Sequence, residues 1–223
     1  MSAGNPWGVA RLLVVMLVAV IPGFQASVAD EFATQVSGSA DDAKVFGSNM
    51  EVVSSDGLVG NTGYYSCDFL ARFANVGVPR GTQVDSAYAV LRASSAQIGT
   101  VCSGMIVAED TAAASQFSSY ADYASRLIGG SVVEWYNLPP VAIGDWLRTP
   151  DIGAVVGEIV GRADWSEGNA LAIFIRNNAS SSGAARRFSQ YDANSAYACS
   201  LLVYYSVSLS SESVSPRRRR AIE

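Results

Sequence analysis

Histidine is missing from all 223 residues of the chain. Its absence removes the Ser-His-Asp and Cys-His nucleophile constellations, His-ligated zinc, and the side chain that most often serves as a general base near neutral pH. Lysine is nearly missing too, occurring only at Lys44. Residues 30–215 carry 19 acidic side chains against 10 basic ones. Phosphate binding needs lysine and arginine clustered on a folded surface, so this balance argues against nucleic acid as a partner. Cysteine is sparse: Cys67, Cys102 and Cys199 lie far apart with no CxxC spacing. A four-ligand metal site cannot be assembled from them, and no cofactor is expected.

Long apolar runs are lacking as well. The run from Leu12 to Ile21 covers ten residues, about half of the roughly 20 that span a bilayer. Arg11 precedes it, Pro22-Gly23 breaks any helix after it, and Ser27-Val28-Ala29 places small residues at a cleavage site. This order predicts a secretory signal over residues 1–29, a mature chain from Asp30, and a secreted or cell-surface location. Membrane contact is then confined to export; an uncleaved anchor is the competing reading, disfavoured by length. At the other end, Arg217 to Arg220 follow Ser215-Pro216. They read as a solvated basic tail over residues 208–223, with a polybasic processing site or a contact to an acidic surface as alternatives.

What remains is dominated by the two-residue period of strands. Residues 30–48, small and polar, read as a flexible lead-in to one domain over residues 49–207. Tyr65, Cys67, Phe69, Ala71 and Phe73 alternate with Ser66, Asp68, Leu70, Arg72 and Ala74, the pattern of a half-buried strand. Ala87, Ala89, Leu91 and Ala93 alternate with Ser86, Tyr88, Val90 and Arg92 as a second strand. Others are expected near residues 100–108, 131–136, 170–176, 185–191 and 197–207, seven or eight in all. The Ala-, Ser- and Tyr-rich stretch predicts a short helix near 120–128.

A firmer helix is expected from Thr149-Pro150-Asp151, with Thr149 as cap and Pro150 in the first turn. Behind it Ile152, Val155, Val156, Ile159 and Val160 form one apolar stripe, although Gly153, Gly157 and Gly161 each weaken it by about 1 kcal/mol. Short strands at regular spacing with one helix near 150–162 predict an all-β fold. Two antiparallel sheets packed as a jelly-roll-like sandwich are the first choice, an immunoglobulin-like order the second.

Two stretches, RFANVGVPRGTQVDSAYAVL at Arg72–Leu91 and RTPDIGAVVGEIVGRADWSEGNALAIFI at Arg148–Ile175, resemble a sandwich module of exported surface proteins. Arg186–Asp192 and Leu201–Tyr205 complete the match, which covers roughly residues 50–207. The module is similar to DNRLRE-type sandwiches, relatives of carbohydrate-binding modules. The resemblance implies a jelly-roll-like fold and a noncatalytic accessory role outside the cell.

Few residues offer chemistry. A glycosidase needs two carboxylates facing one cleft. Asp41-Asp42 falls in the lead-in, and strand neighbours such as Glu109-Asp110 point to opposite faces, so both pairs read as solvated acids. Asp164, Glu167 and Asn169 lack the spacing of a calcium loop; the segment reads as a turn on Gly168 and Asn169 with Trp165 in the core beneath. Aromatic platforms are what is left, since sugars stack their apolar faces on Trp or Tyr. Trp135 and Trp165 are assigned to the core. Trp146, beside Asp145 and Arg148 in a loop after Pro139-Pro140, is the leading ligand-binding candidate, followed by Tyr64, Tyr120 and Tyr191.

For the cysteines, a last strand lying antiparallel beside Ala87–Ala93 would bring its start near Cys102. A Cys102–Cys199 disulfide is therefore expected, with Cys67 a buried thiol and Cys67–Cys199 the runner-up. The sum is a secreted, noncatalytic module that binds an extracellular glycan or surface polymer. The alternative is a structural protein of a cell surface or particle that self-assembles. An exposed aromatic row marks the first, a flat apolar patch the second.

Overall fold

The computed structural model describes residues 27–96 and 101–208. Its elements begin with β1 (Ser27–Gln35), β2 (Asp42–Phe46), β3 (Asn49–Glu51), β4 (Asp56–Asn61), β5 (Ser66–Phe73) and β6 (Gln83–Arg92). After β7 (Gly104–Ala108) come α1 (Tyr120–Ser125), β8 (Val133–Trp135), β9 (Trp146–Arg148) and α2 (Gly153–Val160). β10 (Leu171–Asn177), β11 (Ala185–Ser189) and β12 (Ser200–Ser208) complete it, with a 3-10 turn at Ser195–Tyr197. The expected signal and basic tail lie outside the described residues, apart from Ser27–Ala29, which open β1, and Ser208, which ends β12. Among the described residues no helix is long and apolar enough to cross a membrane.

One sheet runs β1-β12-β6-β9 and the other β11-β4-β5-β10-β7-β8, with β2 joined to β5 and β3 to β2. All of these pairings are antiparallel. With β2, β3, β4 and β11 set aside, eight strands remain. The first sheet then takes them in the order first, last, third, sixth; the second takes second, seventh, fourth, fifth. That is the strand order of a jelly roll, so the chain is an all-β sandwich of that type.

The alternation read from the sequence sets the core. Ala87, Ala89, Leu91 and Ala93 of the β6 stretch meet Cys199, Leu201 and Val203 from β12 and its start, and Phe69, Ala71 and Phe73 of β5, between the sheets. The apolar stripe of α2 is buried in the same cluster. This helix starts later than expected, at Gly153. Thr149 does not cap it, because its Oγ1 accepts a hydrogen bond from Ala89 N at 3.0 Å. Asp151 Oδ1 accepts from both Ala87 N (2.9 Å) and Gly153 N (2.8 Å). The segment after β9 thus stays on the edge of β6 before the helix forms.

The lead-in reading of residues 30–48 is overturned. β1 pairs with β12 along its full length, and β2 pairs with β5 from Asp42↔Ala71 to Phe46↔Cys67. The partner of β1 lies at the far end of the chain, whereas β2 sits between β5 and its near neighbour β3 with Ala43 and Val45 buried.

Candidate functional site

The two sheets differ in what covers their outer faces. On the eight-stranded sheet, Ala43, Val45, Leu70, Val107, Ala172 and Phe174 are buried beneath Ala114 and Phe117, with Tyr120, Tyr123 and Ile128 packed against them. The four-stranded sheet carries no such cover among the described residues. The partners of its inward-facing residues (Ser86, Tyr88, Val90 and Arg92 on β6; Leu202, Tyr204 and Ser206 on β12; Trp146 and Arg148 on β9) are all half-buried or exposed. The face is open to a partner.

Its distinctive chemistry gathers at the β6–β9 end. Register places Trp146 opposite Arg92 and Arg148 opposite Val90, so ring and guanidinium groups interleave on one side of the sheet. Trp146 is 52% exposed. The Arg92 guanidinium lies 3.8 Å over the Tyr197 ring and 6.0 Å from the Trp146 ring. Arg148 lies 3.3 Å over Tyr88. Neither arginine makes a salt bridge among the described residues. Stacking fixes the planes of the guanidinium groups while their N–H edges stay available to acceptors.

Arg92 also walls a cleft of about 480 Å³ that runs on from this face, lined by Ser94, Ser95, Asp56, Arg187, Asn194 and Tyr197 among others. The hydroxyls of Ser94 and Ser95 are buried and have no partner among the described residues. A buried polar atom left unpaired favours any ligand that completes it. Asp56 is held by Arg187 at 2.5 Å and Lys44 at 3.0 Å. Burial works to raise its carboxyl, but these cations prevail and keep it below the ordinary value. The Asp56 network is thereby neutralised, and Arg92 is the cation of the cleft lining that makes no salt bridge among the described residues.

The four aromatic candidates do not form one row. Trp146 alone stands on the four-stranded sheet, in short β9 rather than a loop. Tyr64 is 91% exposed in the turn between β4 and β5. Tyr120 opens α1, packs onto the covered face and meets the Tyr123 ring at 6.2 Å. Tyr191 packs against the main core. Tyr197, Tyr88, Arg92 and Arg148 were not among the candidates. The outward positions of Tyr88 and Arg92 were nonetheless legible in the strand period.

Trp135 and Trp165 are core residues, as expected, and Trp165 Nε1 donates to Val78 O at 2.9 Å. Gly168 has φ 93°, as the turn reading required, but Asn169 keeps a negative φ and needs no special dihedral.

The expected Cys102–Cys199 bridge does not form; all three cysteines are free, buried thiols. β12 does lie antiparallel beside β6, but the carbonyl of Cys199 accepts from Val36 N at the β1 side of the sheet. Cys102 Sγ instead donates to Val59 O of the other sheet at 3.4 Å. Cys67 packs with Leu58 and Ala185. Burial pushes all three thiols upward, away from reactive thiolate.

The acid pairs are not solvated as expected. Asp41 is buried and holds Arg72 Nη1 at 2.5 Å. Glu109 is half-buried against Arg126 Nη1 at 2.7 Å. Asp110 pairs with Arg162. Asp42 is wholly buried; its Oδ2 accepts from Tyr191 N at 2.8 Å, and its Oδ1 has no partner among the described residues. Desolvation, with the nearby charges of Asp192 and Asp41, pushes its carboxyl up to about 7 despite the hydrogen bond.

No protein-family model matches the chain, and no curated protein matches it significantly.

Proposed function

We propose that this chain is a secreted, noncatalytic module that binds a carbohydrate or similar acceptor-rich polymer on the open face of its four-stranded sheet. The observation that carries the reading is Trp146, half exposed beside Arg92, which itself lines a cleft containing two buried hydroxyls with no partner among the described residues. Trp146 offers a stacking surface for a sugar ring. Arg92 and the serines offer hydrogen-bonding groups for its hydroxyls. The resemblance of Arg72–Leu91 and Arg148–Ile175 to DNRLRE-type sandwiches supports the same role, and the signal-like order of residues 1–29 supports export.

Affinity electrophoresis through gels containing β-glucan, xylan, galactomannan or pectin tests it. Retardation is expected in at least one gel, and Trp146→Ala is expected to weaken it by about 1–3 kcal/mol. The variant's thermal midpoint stays within a few degrees of wild type, because the side chain is not in the core. Equal migration in all gels sinks the reading.

Assembly with other copies is the second reading. It draws on Val90, Leu202 and Tyr204, apolar or aromatic residues in the middle of the same face. It predicts sedimentation that depends on protein concentration, whereas the carbohydrate reading predicts a monomer.

A further inference from the structure

The loop between β11 and β12 forms one wall of the cleft through Ala193, Asn194 and Tyr197. One buried carboxyl anchors the start of this loop and acts electrostatically on its end: Asp42 accepts the backbone N–H of Tyr191, and its charge works against ionisation of the Cys199 thiol. We propose that Asp42 is a proton-controlled latch for residues 191–198, so that ligand binding in the cleft weakens when its carboxyl ionises.

This rests on the carbohydrate-binding reading of the cleft and adds its regulation. The geometry supplies the reason. Asp42 has no exposed surface, and its Oδ1 has no partner among the described residues. Gln190, equally buried and next to Tyr191 in the chain, has neither amide atom paired. An ionised carboxylate in such a corner loses its hydration without gaining a cation. The acids near it make matters worse: Asp41 beside it and Asp192 in the loop, while the Cys199 thiol stays neutral and supplies no cation. Arg72 of β5, next to Asp42's register partner Ala71, is already engaged by Asp41, and Lys44 of β2 by Glu51 and Asp56.

Desolvation first, then these acids, carry the carboxyl to about 7, so the change falls at ordinary pH. The neutral acid is accommodated; the anion is relieved by releasing the loop to water. Release takes Tyr197 from beneath Arg92 and opens the cleft wall.

The sign follows from linkage. A carboxyl whose folded value lies above its unfolded one stabilises the closed state at low pH and loses that contribution as pH rises through about 7. The test compares wild type, Asp42→Asn and Asp192→Asn at about pH 6 and about pH 8. The first readout is amide hydrogen exchange over residues 191–198, corrected for intrinsic rates.

Wild-type exchange is expected to rise about tenfold across that range, while Asp42→Asn stays flat. Asp192→Asn keeps an oxygen for the Ser39 hydroxyl, removes one repelling charge, and moves the wild-type midpoint downward in pH. Should Asp42→Asn not fold, that shift carries the test alone. The four polysaccharide gels run at both pH values give the second readout, with weaker retardation expected at the higher pH. A pH-dependent loop without retardation in any gel upholds the latch and removes the binding reading. Loop exchange that is the same at both pH values in wild type, or unchanged by both substitutions, overturns the latch whatever the gels show.

Discussion

Arg126 illustrates how this chain keeps charge inside. Its side chain is only 4% exposed. Its guanidinium reaches Glu109, Asp122 and the carbonyls of Ser115 and Gln116, and lies 4.7 Å over the Phe117 ring. Burial tends to raise Glu109, and Arg126 opposes that rise. Truncation strands a half-buried acid, while the Ser115 and Gln116 carbonyls turn to solvent. Arg126→Ala is therefore expected to cost about 3–5 kcal/mol, read as a lower urea midpoint with unchanged slope. A change below about 1 kcal/mol would show that the network is surface decoration. Arg92 is the contrast, stacked on a ring with no acid beside it, and that difference separates a structural arginine from a candidate ligand contact.

At the scale of elements, α2 is the place where local propensity and packing disagree. Gly157 has ordinary helical geometry, and a Cβ there would meet Val84 at 3.7 Å, a normal contact. Gly157→Ala is expected to stabilise the domain by about 0.5–1 kcal/mol. Gly153 differs, since its Cβ would lie 3.1 Å from Ser86 Cα, a backbone atom that cannot step aside. Gly153→Ala is expected to lower the thermal midpoint while Gly157→Ala raises it. Opposite signs in one melting experiment check the pairing of α2 with β6.

These elements also show what a sequence can disclose. The alternation in Ser86–Ala93 identified both the core side and the outward side of β6, including Tyr88 and Arg92. The stripe of α2 was equally plain, because every member of it is buried. The helix start was not, since Thr149 and Asp151 carry capping chemistry but bond to β6. β1 was hidden because its partner strand lies at the far end of the chain, and β2 because it is only five residues long and opens on an acid buried against residues distant in sequence. Tyr197 was hidden for a similar reason: it belongs to the site only because a 3-10 turn sets it beneath Arg92.

For the whole molecule, the decisive feature is asymmetry. A jelly roll has two outer faces, and here residues 112–128 close one with Ala114, Phe117, Tyr120 and Tyr123. The other stays open and ends at a cleft. Covering one face costs chain length, and leaving the second bare exposes Trp146 and Tyr204 to water. Exposed apolar residues also occur away from this face, at Val53, Tyr64 and Leu127 among others, so what sets the face apart is its bare sheet rather than its apolar content. Asp42 lies outside the cleft lining and reaches it through the 191–198 loop that forms one wall, so under the latch proposed above the order of that wall responds to one proton.

A backbone amide chemical-shift map of the protein, titrated with a polysaccharide that retards it in gels, tests this account most directly. The account predicts that the largest shifts fall on Arg92, Ser94, Ser95, Trp146–Arg148, Asn194 and Tyr197, with residues 112–128 and the Tyr64 turn unmoved. Shifts centred on the Tyr64 turn or on residues 112–128, with Arg92 and Trp146 silent, would contradict it.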